Sequence, residues 1–120
     1  MVSCQMTKYQ WKIFWANLNP ATGSEQAGKR PVLVVSTEEV NQALPIVTVL
    51  PLTSARPLRK IYPTEVFLSK DLSGLTKDSI AMVHQIRTVS KERLEKVCGA
   101  VTDEKLQEQV RLVLKRYFAI

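Results

Sequence analysis

Residues Pro31 to Ser36 read PVLVVS, aliphatic and β-branched until the closing serine. Such a run is too short for a helix and too apolar for a loop. It predicts a buried central strand and so commits the chain to a sheet. Pro31 suits the first position, where its missing N–H falls at the strand end. On either side the chain divides into similar short pieces. Lys12 to Leu18, KIFWANL, is rich in β-formers and stops at the turn signal Asn19-Pro20. Ala21 to Arg30 is polar, holds Gly23 and Gly28, and reads as an exposed loop. In STEEVNQAL a Ser/Thr cap followed by glutamates predicts a short helix.

Pro45 to Thr53, PIVTVLPLT, predicts another strand, with Pro51 marking a bulge or an edge near its end. Ser54 to Pro63 is a basic loop, Thr64 to Leu68 a strand, and SKDLSGLTKD a turn. Ser79 to Val83 and Gln85 to Val89 are β-like pieces on either side of His84. Lys91 to Glu95 predicts a helical turn and Lys96 to Val101 a last strand. Only the C-terminal segment carries a sustained helical period. Leu106, Val110, Val113, Leu114 and Tyr117 share one helical face. Thr102 is the predicted cap, Asp103 and Glu104 suit the positive end of the helix dipole, and Arg111, Lys115 and Arg116 suit the negative end. The expectation is an α+β, mainly β, architecture of roughly five to seven short strands and a terminal amphipathic helix.

With 120 residues there is room for one core. Residues 1–10 are expected to form a loose lead-in to a single domain over 11–120. No apolar run approaches the ~18–20 residues of a membrane span, and the first residues lack a secretory pattern, so a cytoplasmic protein is expected. Cys4 and Cys98 stand far apart and the only histidine is His84, a poor basis for a structural zinc site. No metal or other cofactor is expected. Seventeen Lys and Arg against eleven Asp and Glu leave a net charge of +6, which favours a polyanionic partner, nucleic acid or an acidic protein segment.

The common catalytic signatures are missing: no GxSxG, no GxxxxGK[ST], no GxGxxG and no HExxH. What stands out is a series of polar residues at strand ends. Ser24, Glu25 and Gln26 come first, then Arg30, then Thr53 and Ser54, then His84, Gln85 and Arg87. Each also has a plain reading. Glu25 and Gln26 suit a solvated loop, Thr53 and Ser54 a turn cap, and His84 a hydrogen-bonded structural histidine. Trp11 and Trp15 suit the core or its rim, with base stacking the alternative. Arg56, Arg59 and Lys60 read either as a solvated loop or as a phosphate footprint. Pattern alone therefore reaches a small basic β-rich domain with one helix.

The segment NLNPATGSEQAGKRPVLVVS, followed in order by LPLTSAR, PTEV, GLTKDS and QIRTV, resembles the MazF/PemK-type toxins of type II toxin–antitoxin systems. The likeness runs from about Trp11 to the C-terminus. It departs at the entrance, where Lys12 and Asn17 stand in place of the acidic residues the family often has there. The resemblance implies a small SH3-like barrel of the CcdB/PemK type with mostly antiparallel strands, assembled as a homodimer. It also implies a metal-independent, ribosome-independent endoribonuclease, an mRNA interferase, that cuts single-stranded RNA at short motifs. The ribose 2′-OH would attack the adjacent phosphorus, leaving a 2′,3′-cyclic phosphate and a 5′-OH. Arg30 and Thr53 match the catalytic pair. Ser24, Glu25, Gln26, Lys29, Ser54, Arg56, Arg59, Lys60, His84, Gln85 and Arg87 are supporting or RNA-binding candidates by position.

A guanidinium suits the phosphorane's extra charge, because its planar fork holds two phosphoryl oxygens. Arg30 is a poor general base, because a guanidinium keeps its proton in proteins. Pro31 and the packed strand behind it would hold the Arg30 backbone still, as a preorganised clamp needs. A cognate antitoxin with an acidic, disordered segment would cover the same basic groove, and DNA would be met only through that antitoxin. Two other readings remain open on the sequence: a CcdB-like poison that binds DNA gyrase without cutting RNA, and an inactive RNA-binding homologue.

Overall fold

The structure, a computed structural model, describes residues 7–120. Its strands are β1 (Lys12–Asn17), β2 (Lys29–Val34), β3 (Ile46–Ser54), β4 (Glu65–Leu68), β5 (Ser79–Met82), β6 (Arg87–Ser90) and β7 (Leu94–Ala100). The helices are α1 (Glu38–Ala43), α2 (Lys70–Ser73) and α3 (Glu104–Phe118). All strand pairs are antiparallel, in the order β4-β5-β3-β2-β1-β7, with β6 added to β3.

The strand expected at PVLVVS is β2, which starts two residues earlier, taking Lys29 and Arg30 out of the expected loop, and ends at Val34. It lies in the middle of the sheet with both faces buried. Leu33 joins a core layer with Ile13, Leu50, Leu52, Val66 and Leu68. Its neighbours Val32 and Val34 join a second layer with Phe14, Ala16, Val47, Val49 and Val89. The period-2 alternation of β1 and β2 feeds the two layers in turn. Each fully buried Leu, Ile or Val stabilises the fold by about 1.5–3 kcal/mol. Leu106, Val110 and Val113 of α3 close the first layer.

Pro51 marks neither a simple edge nor the end of β3. One side of β3 pairs with β6 over Ile46 to Val49 and with β5 over Leu52 to Ser54. Pro51 falls between the two partners, where a missing N–H leaves no carbonyl unpaired. The strand changes neighbours there, and that lets the sheet curl toward a barrel.

Several boundaries differ from the sequence reading. Asp103, not Thr102, caps α3: its carboxylate accepts from the Leu106 N–H at 2.9 Å. A carboxylate one residue later satisfies the same donor and adds favourable charge at the dipole's positive end. Tyr117 is 42% exposed, so the apolar stripe of α3 stops a turn early. The expected turn at SKDLSGLTKD contains a helical turn, α2, capped by Ser69 Oγ and ended by Gly74 in the left-handed region at φ +75°. His84 and Gln85 share a 3-10 turn with Val83, so the following strand starts at Arg87. A second 3-10 turn occupies Lys91–Arg93, and β7 begins at Leu94, two residues before the expected start.

Of the lead-in expected to be loose, residues 1–6, including Cys4, lie outside the described residues. Tyr9 and Gln10 are fastened down. Their backbone N–H groups donate to Glu38 at the start of α1, at 3.0 and 2.9 Å to Oε1. Burial works to raise the Glu38 pKa, but these bonds and those from Gln42 and Asn41 prevail and bring it from 4.5 to about 2. The folded carboxyl is harder to protonate than the unfolded one, so its contribution is complete above pH 4.5 and fades as the pH falls toward 2. The melting temperature should therefore drop more steeply over that window in the wild type than in Glu38→Gln. Parallel pH profiles in thermal melts would contradict this role. Among the described residues no helix is long and apolar enough to cross a membrane.

Candidate active site

Strand β2 delivers Arg30 to the end of the sheet. It stands opposite Ala16 of β1, and the paired register with β3 ends at Val32 opposite Pro51. Continued by two residues, that register sets Arg30 across from Thr53, where the strands frame an open cavity of about 310 Å³. Trp15, Lys29, Arg30, Pro31, Leu52, Thr53, Ser54, Arg56 and Ser79 line it.

The Arg30 guanidinium is held from two sides. Nε donates to the Ala27 carbonyl at 3.3 Å and Nη1 to the Leu52 carbonyl at 3.1 Å. Both acceptors are neutral, and among the described residues no carboxylate comes within ion-pair distance of Arg30. Its Nη2 has no partner among those residues. The cation is thus oriented without being neutralised, the state in which it stabilises an incoming anion best. Thr53, half-buried beside it, brings a hydroxyl that donates and accepts.

The other sequence candidates sort into three groups. Lys29, Ser54 and Arg56 join the pair in the cavity, although Lys29 also reaches Glu95 at 3.2 Å. Ser24, Glu25, Gln26, His84, Gln85 and Arg87 do not line it. Most of that second group shapes the loop that carries Arg30. Gln85 donates to the Ser24 carbonyl at 3.1 Å and accepts from the Gln26 N–H at 3.3 Å. Glu25 accepts from the Thr22 N–H, and Arg87 donates to the Leu18 carbonyl. His84 Nδ1 lies 2.8 Å from the Thr64 hydroxyl.

Arg59 and Lys60 form the third group. Arg59 is bound to Glu65 through both Nη atoms at 3.1 and 2.8 Å, and Lys60 leans over the Tyr62 ring at 5.8 Å. Burial opposes ionisation of Glu65, yet the bonds from Arg59 and the Tyr62 N–H hold its pKa below the usual carboxylate value.

Sequence reasoning missed Ser79 and treated Trp15 as core or rim. Both line the cavity and also an adjoining, more apolar one of about 260 Å³ with Pro31, Ser54, Leu75, Thr76, Lys77 and Cys98. Ser79 arrives there through its register with Ser54 across β3 and β5, which nothing local in the sequence announces. Burial pushes the Cys98 thiol pKa up, so it stays protonated and a weak nucleophile. No group of three or more His, Cys, Asp or Glu placed to hold a metal ion occurs among the described residues.

The fold and cavity define a small curled antiparallel sheet with an oriented arginine, tied to two backbone carbonyls, and a threonine in the lining of one open cavity at the strand ends. The model of the PemK-like, MazF-like toxins of type II toxin–antitoxin systems matches residues 9–118, and the chain belongs to that family. It is 38% identical over 96 residues to the endoribonuclease MazF of Staphylococcus saprophyticus, covering 80% of this chain and 79% of that protein. The crystal structure of MazF from Deinococcus radiodurans superposes with a TM-score of 0.76 at 26% identity, covering 93% of this chain and 96% of that one. An endoribonuclease from a mycobacterial species, solved in complex with its cognate antitoxin, shares the fold at 19% identity, with a TM-score of 0.76 and coverage of 95% and 97%.

Proposed function

We propose that this toxin is an endoribonuclease that cuts single-stranded RNA, chiefly messenger RNA, without a metal ion. The observation that carries the reading is the oriented, uncompensated Arg30 guanidinium across from Thr53 in an open cavity. Family membership and the staphylococcal endoribonuclease relative support it. In the reaction the 2′-oxygen forms a bond to phosphorus while the bond to the 5′-oxygen breaks. The 2′-proton leaves to a base and the departing 5′-oxygen gains a proton, giving a 2′,3′-cyclic phosphate and a 5′-OH. Arg30 takes up the charge that grows on the phosphoryl oxygens, and Thr53 hydrogen-bonds the scissile phosphate or the 2′-OH. Glu25 and His84, supporting candidates whose side chains could in principle carry a proton, stand outside the cavity lining, so charge stabilisation by Arg30 comes first and the proton carriers are left unassigned.

The protein acts in the cytoplasm as a homodimer. A cognate antitoxin silences it by laying an acidic, disordered segment over the basic cavity mouth, and the toxin meets DNA only through that antitoxin. The test is a long defined transcript incubated with the purified protein in EDTA. Discrete cuts are expected. Intact RNA from a protein that still arrests growth would overturn the nuclease reading in favour of a gyrase-type poison.

A further inference from the structure

The loop between β3 and β4 carries Arg56 to the cavity, and its shape depends on one buried carboxylate. Glu65, whose side chain is fully buried, is the first residue of β4. It accepts from both Nη atoms of Arg59 and from the Tyr62 N–H at 3.0 Å. Arg59 Nη1 also donates to the Lys60 carbonyl at 2.9 Å. The Arg59 backbone N–H returns to the Arg56 carbonyl at 3.1 Å, closing a turn that holds Leu58 fully exposed at φ +70°. A left-handed leucine persists only where its surroundings over-determine it. At its start the loop is tied by the Ala55 N–H to the Asp78 carbonyl. The turn ending at Arg59 thus has one side chain fixed to the sheet and another, Arg56, in the wall of the Arg30 cavity.

We propose that Glu65 is a positioning residue for RNA cleavage: through Arg59 it latches the β3–β4 loop so that Arg56 stands at the cavity as a phosphate contact. This deepens the nuclease reading and rests on it. Glu65 touches no RNA and acts only through Arg59 and the turn. Of the three cations in this loop, the one paired with the buried Glu65 carboxylate serves geometry and leaves Arg56 free for substrate. In an RNA-binding protein a fixed cation loses less entropy on meeting a phosphate than a mobile one.

The test measures initial rates on a long defined transcript at several salt concentrations for wild type, Arg56→Ala, Glu65→Gln and the double variant, each shown folded by thermal melt. Arg56→Ala and Glu65→Gln should each raise KM roughly tenfold, the scale of one charged contact, with kcat within about threefold. Each should flatten the log–log salt dependence of kcat/KM by about 0.7, the release expected for one single-strand phosphate contact. The double variant should be no worse than Arg56→Ala alone. Mere loss of stability would lower the active fraction without changing that slope. A Glu65→Gln protein with wild-type KM and slope, or an effect that multiplies with Arg56→Ala, overturns the latch while the nuclease reading stands. A wild type that leaves the transcript intact removes both. Should Glu65→Gln melt below the assay temperature, Arg59→Lys, which keeps the charge but loses the fork, is read by the same criteria.

Discussion

Arg30→Ala should cut RNA about 10²–10³-fold more slowly than the wild type while remaining folded. The drop is large because the alanine removes the one cavity cation tied to two backbone carbonyls, Ala27 and Leu52, with no carboxylate among the described residues at ion-pair distance. Those carbonyls lose their donors, a cost of about 1 kcal/mol each at most sites, so the melting temperature should move far less than the rate. Arg30→Lys separates charge from geometry. A lysine keeps the cation but cannot hold both carbonyls and also offer a planar pair of N–H groups. It should recover only part of the lost rate. Single-turnover cleavage of one transcript by the three proteins, with thermal melts beside it, checks both points. A lysine variant as fast as the wild type would reduce Arg30 to a point charge, and an unimpaired alanine variant would remove it from the chemistry.

The largest stability effect expected from a single methyl group is at Gly99, in β7. A Cβ there would meet the Ser73 carbonyl oxygen at 2.5 Å, Leu75 Cδ2 at 3.2 Å and Ile13 Cδ1 at 3.4 Å. The first contact decides the sign, because it is backbone. Ser73 ends α2, which is held by the Ser69 cap on one side and left-handed Gly74 on the other. Nothing there yields as a flexible side chain would. Gly99→Ala should destabilise the fold by about 1–3 kcal/mol, lowering Tm by roughly 5–15 °C in a domain of this size. Calorimetry of the purified variant measures it directly. An unchanged Tm would mean that β7 and α2 separate at little cost.

What was legible in the sequence follows from how local its cause is. The PVLVVS strand and the α3 stripe were readable because their own periodicity demands burial. Arg30 was readable as a cation at the mouth of that strand, with Pro31 behind it, although the strand itself begins at Lys29 and includes it. Capping missed by one residue because Thr102 and Asp103 both satisfy the local rule, and only the direction of the chain's turn selects between them. The roles of Arg59 and Ser79 were not readable. Glu65 lies six positions after Arg59 across an irregular loop, with no helical or strand period to pair them. Ser79 reaches the cavity only because β5 replaces β6 as the partner of β3 beyond Pro51. The site is therefore half local pattern and half register, and register is a property of the whole sheet.

The central claim is that the RNA's own 2′-oxygen attacks phosphorus in the Arg30–Thr53 cavity. Once the cuts on a transcript are mapped, one nucleotide is remade with 2′-H in place of 2′-OH on the 5′ side of a single cut, and the products are sized in EDTA. Loss of that cut alone, with the others still ending in cyclic phosphate, is the result this account predicts. Cleavage that continues at the 2′-deoxy position would mean that another nucleophile, such as water, does the work, and would contradict it.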